Sequence, residues 1–216
     1  MDKYTILRII LVGFEILAAA TGLICFRRNW TLNKKLFVVY LIAIAILEII
    51  GNSMFIIYKQ DNRWLYGYIV IPLEFMFAYW FFFHEMRVNG KSRLALISAA
   101  LYVVAFLADQ LWLSEKRFSF SSFSYTLGNL LLLIILLVHF LYLVNRSGII
   151  GLGRSFIFWV CLGMLVFYLG SFPFYGLWNT LLNYPVLFNN YWISQMYLDF
   201  MMYLCFIIAF KWGKEN

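Results

Sequence analysis

The chain has 216 residues, of which 64% are hydrophobic and 12% are charged, and its formal net charge is +7. A soluble globular domain has about 45–50% apolar and about 25% charged residues, so the composition excludes an ordinary soluble domain. The positive charge does not indicate nucleic acid as a partner. The basic residues form short clusters between apolar runs, and no basic stripe is interleaved with exposed aromatic side chains.

Seven apolar runs follow one another along the chain, and none alternates apolar with polar residues as barrel strands do. Each is long enough to cross a hydrocarbon core of about 30 Å as a helix that rises about 1.5 Å per residue. We therefore predict an all-α, polytopic integral membrane protein with a single seven-helix transmembrane domain over residues 1–216. The predicted spans cover residues 5–26, 36–58, 64–84, 94–113, 122–144, 155–177 and 187–210.

The first run also resembles a signal peptide, because Lys3 and Arg8 precede or enter an apolar stretch. Glu15 falls inside the would-be hydrophobic region, however, so we expect a retained first helix. The cysteines lie within or at the ends of apolar runs and form no CxxC motif, which predicts packing residues and no metal site.

Lysine and arginine are distributed unevenly between the two sets of connecting segments. One set, which includes the C-terminal tail, holds eleven of them, and the opposite set holds six. Because basic residues are enriched on the cytoplasmic side, the count predicts an N-terminus outside and a C-terminus in the cytoplasm. Tryptophans near the ends of the runs fit the same limits, since indole prefers the membrane interface. The glycine-rich stretch 148–153 predicts a flexible turn on the cytoplasmic side.

Four carboxylates lie near the middle of predicted spans: Glu15, Glu48, Glu74 and Asp199. A charged group near the bilayer centre costs at least about 2.5–3.5 kcal/mol, so such residues are expected to face the bundle interior or a cavity. The carboxylates therefore mark the best candidate for a binding site.

Helical spacing gives these carboxylates polar companions. In the last span, Tyr191, Gln195, Asp199 and Tyr203 recur every four residues and form one polar stripe. In the second span, Asn52 shares a face with Glu48, and in the first, Arg8 lies two turns from Glu15 on the same side. The candidate ligand-binding set is Glu15, Glu48, Asn52, Glu74, Gln195, Asp199 and Tyr203.

No lysine or arginine lies at the depth of the carboxylates in the sequence. Two explanations stay open. The carboxyl groups are protonated, because burial disfavours the charged form, or they meet a cation from outside, such as a proton in transit, a metal ion or an organic amine. A protonated glutamate that only hydrogen bonds two helices together is the simpler alternative for any one of them.

Three classes of function follow from these residues. The first is binding or transport of a proton or small cationic ligand through the mid-membrane carboxylates. The second is a seven-helix, receptor-like sensor that signals to a separate partner. Asp199 occupies the position at which a retinal protein needs a lysine, so a retinal chromophore is rejected. An intramembrane enzyme is the third, and it lacks a visible motif, since His84 and His139 belong to different spans and no HExxH occurs.

No catalytic residue, metal site or cofactor is predicted. The expected partners are membrane lipid, a proton or small cation, and an intramembrane protein partner or a second copy of the chain. Substrate or signal and oligomeric state stay open.

Two stretches of sequence resemble an uncharacterised group of small bacterial seven-helix membrane proteins. The first leads from Asn62-Arg63-Trp64-Leu65-Tyr66 to Pro72-Leu73-Glu74-Phe75. The second leads from Phe158-Trp159-Val160-Cys161-Leu162-Gly163 to Phe167-Tyr168-Leu169-Gly170. The resemblance implies a multi-pass protein of the bacterial inner (plasma) membrane, and it implies no particular activity.

Overall fold

The computed structural model of the chain describes residues 3–26, 30–112 and 122–213. Within these residues the chain is helical and has no strands, and seven helices are long and apolar enough to cross a membrane. The all-α prediction with seven apolar helices is therefore confirmed. Arg27, Arg28, Lys116, Arg117 and Lys214, which contribute to the charge count, lie outside the described residues.

The α-helices are α1 (Lys3–Ile24), α2 (Leu32–Ile56), α3 (Arg63–Leu65), α4 (Ile71–Glu85), α5 (Ser92–Trp112), α6 (Ser122–Leu152), α7 (Phe156–Gly176), α8 (Trp178–Leu181) and α9 (Pro185–Trp212). The short α8 lies in the connection between α7 and α9, where the sequence predicts only a loop.

The third apolar segment is not one regular helix. After α3, residues Tyr66–Val70 form a π-helix in which the Ile71 N–H donates to the Tyr66 carbonyl. Pro72, at the start of α4, has no N–H to continue an α-helical ladder backwards, which favours such an irregular turn. Single-turn π-bulges are frequent at functional sites. The wider turn decides where the Tyr66 side chain lies relative to α2.

The long helices are packed in a ring. Around it α1 packs on α2, α4 on α5, α5 on α6, α6 on α7, α7 on α9, and α9 on α1. Among the described residues, the contact between α2 and α4 is the sparsest between neighbours in this ring. The ring therefore has one loose seam.

Aromatic side chains fill the middle of the ring, and aliphatic ones cover its outside. Phe37 and Phe75 are each 1% exposed and belong to the core. On the outer surface, Ile24 and Leu111 are more than 80% exposed. An apolar exterior of this kind would be unfavourable in water and is suited to lipid.

Helices α7 and α9 approach each other closely at Gly163. A Cβ atom added there would lie 2.8 Å from the Cys205 Cβ and 3.1 Å from the Met202 carbonyl oxygen. Small residues allow this close backbone approach between membrane helices.

Helix α6 is longer than the sequence predicts. It runs to Leu152 instead of ending near residue 144, so the turn before α7 is limited to Gly153 and Arg154. The predicted flexible turn over 148–153 is wrong for most of its length. Glycine lowers helix propensity by only about 1 kcal/mol and keeps its N–H, so without a proline the helix continues.

Candidate functional site

The four mid-span carboxylates come from four different helices. Glu15 lies on α1, Glu48 on α2, Glu74 in the first turn of α4 and Asp199 on α9. Glu15 interacts electrostatically with Glu48, Asp199 and Glu74, Asp199 interacts with Glu74 and Glu48, and Glu74 interacts with Glu48. Every pair is thus within electrostatic range. We call these four residues the carboxylate cluster.

The members of the carboxylate cluster differ in burial. Glu15 is 4% exposed, whereas Glu48, Glu74 and Asp199 are half-buried. Three of the acids therefore keep some accessible surface.

Glu48 is held by two hydrogen bonds. The Tyr66 hydroxyl donates to Glu48 Oε2 at 2.7 Å, and Asn52 Nδ2 donates to the same oxygen at 3.2 Å. Asn52 Nδ2 also lies 2.9 Å from the Glu48 carbonyl oxygen, so it is tied to both parts of that residue. The position of Tyr66 on the π-helix is therefore directly coupled to a member of the carboxylate cluster.

The Tyr66 ring fits against α2 because residue 51 is glycine. A Cβ atom at Gly51 would lie 2.8 Å from the Tyr66 hydroxyl oxygen and 3.1 Å from its ring. On the other side, Asn62 Nδ2 donates to the Gly51 carbonyl oxygen at 2.8 Å. The glycine thus permits both the contact with the tyrosine and the attachment of the α2–α3 connection.

Arg8 gives Glu48 a basic neighbour. Its guanidinium lies over the rings of Phe55 and Trp192, at 4.7 and 5.5 Å from their centroids, and interacts electrostatically with Glu48. The prediction that the carboxylates lack a basic partner is therefore wrong for this one. The arginine side chain is long enough to reach inward from a position nearer the helix end.

The other three acids have no such neighbour within the part of the chain that the structure describes. Among the described residues, the charged groups that act on Glu15, Glu74 and Asp199 are the other acids of the cluster. At an effective dielectric constant of about 20, two unit charges even about 8 Å apart repel by about 2 kcal/mol. A cluster with one arginine and four acids therefore favours either protons or an added cation.

Tyrosines surround the carboxylate cluster. Tyr203 interacts electrostatically with Glu15, Glu74 and Asp199. Five more tyrosines interact electrostatically with one or more of the acids, namely Tyr40, Tyr102, Tyr125, Tyr168 and Tyr175. The acids are therefore enclosed by aromatic rings that also carry hydroxyl groups.

Two buried polar atoms at this site have no hydrogen-bond partner among the described residues. They are Glu15 Oε2 and Gln195 Nε2, and Gln195 is 5% exposed. Gln195 lies one helical turn before Asp199 on the same face of α9. Buried polar groups are rarely left unpaired, so each such atom indicates a missing partner.

The structure brings the predicted residues together to different degrees. Glu15, Glu48, Glu74 and Asp199 form the cluster. Asn52 donates a hydrogen bond to Glu48, Tyr203 interacts electrostatically with Glu15, and Gln195 lies one turn from Asp199. Tyr191, the outermost member of the α9 stripe, instead lies near the ring of Phe174, at 6.3 Å between centroids. That these residues bind a ligand stays a prediction.

Sequence reasoning missed the tyrosines outside α9 and the role of Arg8. Tyr66 is separated from Glu48 by 18 residues and by the α2–α3 connection, so no local pattern relates them. The proline that follows the Tyr66 turn was the available signal, since it marks an irregularity next to a mid-span acid.

The two histidines lie elsewhere. His139 is 2% exposed, its ring is 5.6 Å from that of Phe82, and neither ring nitrogen has a partner among the described residues. His84 Nδ1 is 3.0 Å from the Trp80 carbonyl oxygen. In the part of the chain that the structure describes, no group of three or more His, Cys, Asp or Glu residues is arranged to hold a metal ion.

Comparison with protein-family models, curated proteins and solved structures gives no match. The resemblance to small bacterial seven-helix proteins therefore stays an expectation from the sequence. The case for function depends on the geometry of the carboxylate cluster.

Proposed function

We propose that this protein is a multi-pass membrane protein that binds a small organic cation, a protonated amine, at the carboxylate cluster and moves it across the bilayer. The observation that carries the proposal is the convergence of Glu15, Glu48, Glu74 and Asp199 from four helices, with Arg8 as the basic neighbour of Glu48 alone.

The aromatic surroundings favour an amine over a bare metal ion. Tyrosine ring faces attract organic cations, and this attraction reaches about 2 kcal/mol or more when the site is desolvated. A metal site would instead bring several oxygen or nitrogen ligands to one point, and the described residues hold no such group. Glu15 Oε2, which has no hydrogen-bond partner among the described residues, is an acceptor for an ammonium group.

The setting that we propose is a bacterial inner membrane, with the N-terminus outside and the C-terminus in the cytoplasm. The excess of lysine and arginine in one set of connecting segments supports this orientation. The sequence resemblance supports the bacterial setting.

The test is ligand-dependent stabilisation of the purified protein. We expect one or more amines from a panel of protonated primary and quaternary amines to raise the melting temperature. At 100 times the Kd a ligand adds about 2.7 kcal/mol, which is about 5–10 °C for a chain of this size. Sodium and potassium chloride at equal ionic strength are the reference salts.

Glu74→Gln and Asp199→Asn are expected to remove the stabilisation. Asp109→Asn is the matched control, because Asp109 is also buried, at 4% exposed, but accepts a hydrogen bond from the Ser124 backbone N–H at the start of α6. Asp61→Asn is a second control. Asp61 is exposed, and its hydrogen bonds with Arg63 keep its pKa below the usual range, so it is charged at neutral pH.

Stabilisation that survives in both Glu74→Gln and Asp199→Asn would overturn the binding site. Amine uptake into proteoliposomes then tests the transport step. If the amine binds and is not taken up, transport is wrong and binding alone stands.

A further inference from the structure

The loose seam between α2 and α4 forms an apolar groove that opens to the outside of the bundle. Leu36, Val39 and Ala43 line it from α2, and Leu73 and Trp80 line it from α4. Its volume is about 290 Å³, and its lining is almost entirely apolar. Drug-sized pockets have about 300–1,000 Å³, so this groove has room for one hydrocarbon chain and not for a bulky lipid.

Two aromatic side chains of the groove lining are stacked, and one of them lies within electrostatic range of the carboxylate cluster. Tyr40 and Phe77, which complete the groove lining, are stacked with centroids 4.0 Å apart and an interplanar angle of 2°. Tyr40 is half-buried and interacts electrostatically with Glu74 and Glu15. Tyr40 therefore lines the groove and also interacts with the carboxylate cluster.

Helix α4 connects the same two surfaces within one turn. Leu73 lines the groove, Glu74 follows it in the carboxylate cluster, and Phe77 is one turn further along. The groove lining and the carboxylate cluster therefore include adjacent residues of one helix, Leu73 and Glu74.

We propose that the groove receives the alkyl chain of a single-chain amphipathic amine, whose ammonium group enters the carboxylate cluster from the side between α2 and α4. This inference rests on the proposed function and names its substrate class. The charge of the cluster matches the head group, and the apolar lining matches the chain. The unpartnered Glu15 Oε2 is an acceptor that the N–H groups of an ammonium would satisfy.

A lateral path also has a physical advantage. An amphipathic amine concentrates in the bilayer, because each buried CH₂ contributes about 0.8 kcal/mol. Since the chain leaves lipid for an apolar groove, its transfer is nearly neutral, and the electrostatic attraction of the acids decides the direction. Tyr40 and Phe77 would separate to let the ammonium group pass.

The test compares two probes, butylammonium and dodecylammonium, on protein in phosphatidylcholine nanodiscs. Ala43→Trp and Val39→Trp each fill the groove with an indole. Ile46→Trp is the matched control, because Ile46 is 52% exposed on the same helix and does not line the groove. We expect both groove variants to lower the dodecylammonium affinity at least tenfold, with butylammonium affinity within twofold of the parent and both affinities unchanged in Ile46→Trp.

Other outcomes separate this inference from the proposed function. If both probes bind the groove variants as they bind the parent, the groove is not the chain site, although the cluster still binds amines. Equal losses of affinity for both probes would also overturn the groove as the chain site. The groove would then not distinguish an amine with a long alkyl chain from one with a short chain. Displacement of dodecylammonium by phosphatidylethanolamine in the nanodisc would make a two-chain lipid the occupant and overturn the single-chain class. If neither probe binds the parent protein, the proposed function fails and this inference fails with it.

Discussion

Tyr66→Phe tests whether Glu48 is ionised at rest, and the structure gives the size of the effect. The substitution removes only the hydroxyl that donates to Glu48 Oε2 at 2.7 Å, leaving the ring against Gly51. That length lies between the short bonds to ionised oxygen, about 2.5–2.7 Å, and the neutral average of about 2.7–2.8 Å. Length alone therefore does not decide the charge of Glu48.

The energies of hydrogen bonds to charged and to neutral acceptors differ enough to decide whether Glu48 is ionised. A hydrogen bond to a charged group contributes about 1.5–3 kcal/mol, and a neutral one contributes about 0.5–1.5 kcal/mol. Burial disfavours the charged form of Glu48, whereas Arg8 and the Asn52 amide favour it. For a charged Glu48 we expect Tyr66→Phe to cost about 1.5–3 kcal/mol, which is a fall of about 3–12 °C in melting temperature.

The assay is a double-mutant cycle with Glu48→Gln, measured by thermal unfolding in one detergent at neutral pH. In the Glu48→Gln background the Tyr66 hydroxyl has only a neutral acceptor, so Tyr66→Phe should cost about 1 kcal/mol less than in the parent. Tyr68→Phe, on the same π-helix and 59% exposed, is the control and should change stability by less than about 0.5 kcal/mol. Equal costs in the two backgrounds would refute an ionised Glu48.

Three further substitutions test the packing. Gly51→Ala should displace the Tyr66 ring and lower the melting temperature by at least as much as Tyr66→Phe, because the added Cβ would lie 2.8 Å from the hydroxyl oxygen. Gly163→Ala should cost about 1–3 kcal/mol by forcing α7 from α9, whereas Gly13→Ala, with open space around it, should be neutral or stabilising by about 0.5–1 kcal/mol. His139→Leu should raise the melting temperature, because it removes two buried nitrogen atoms without described partners at little cost in packing.

Each of these has a clear contrary result. An unchanged melting temperature in Gly51→Ala would mean that the tyrosine moves without losing its bond. Equal effects of alanine at residues 163 and 13 would mean that helix propensity, and not the close contact, governs both. A marked loss of stability in His139→Leu would show that the imidazole has a partner that the described residues do not include.

Hydropathy alone determined the helical class and the positions of the seven apolar helices. About 20 consecutive residues decide whether a segment is apolar enough to span the membrane, so a span can be recognised from local sequence alone. The same local reasoning placed Glu15, Glu48, Glu74 and Asp199 at mid-span, because depth follows from the position within a run. It failed at stretch 148–153, where glycines alone did not end α6.

Only the tertiary structure decided that these acids meet. Convergence depends on how each helix is rotated about its axis and on which helices are neighbours, and both are set by packing between distant residues. The contact of Tyr66 with Glu48, the reach of Arg8 and the groove beside Tyr40 depend on the same packing. The sequence determined how deep the polar groups lie, and the arrangement of the helices determined that they share one site.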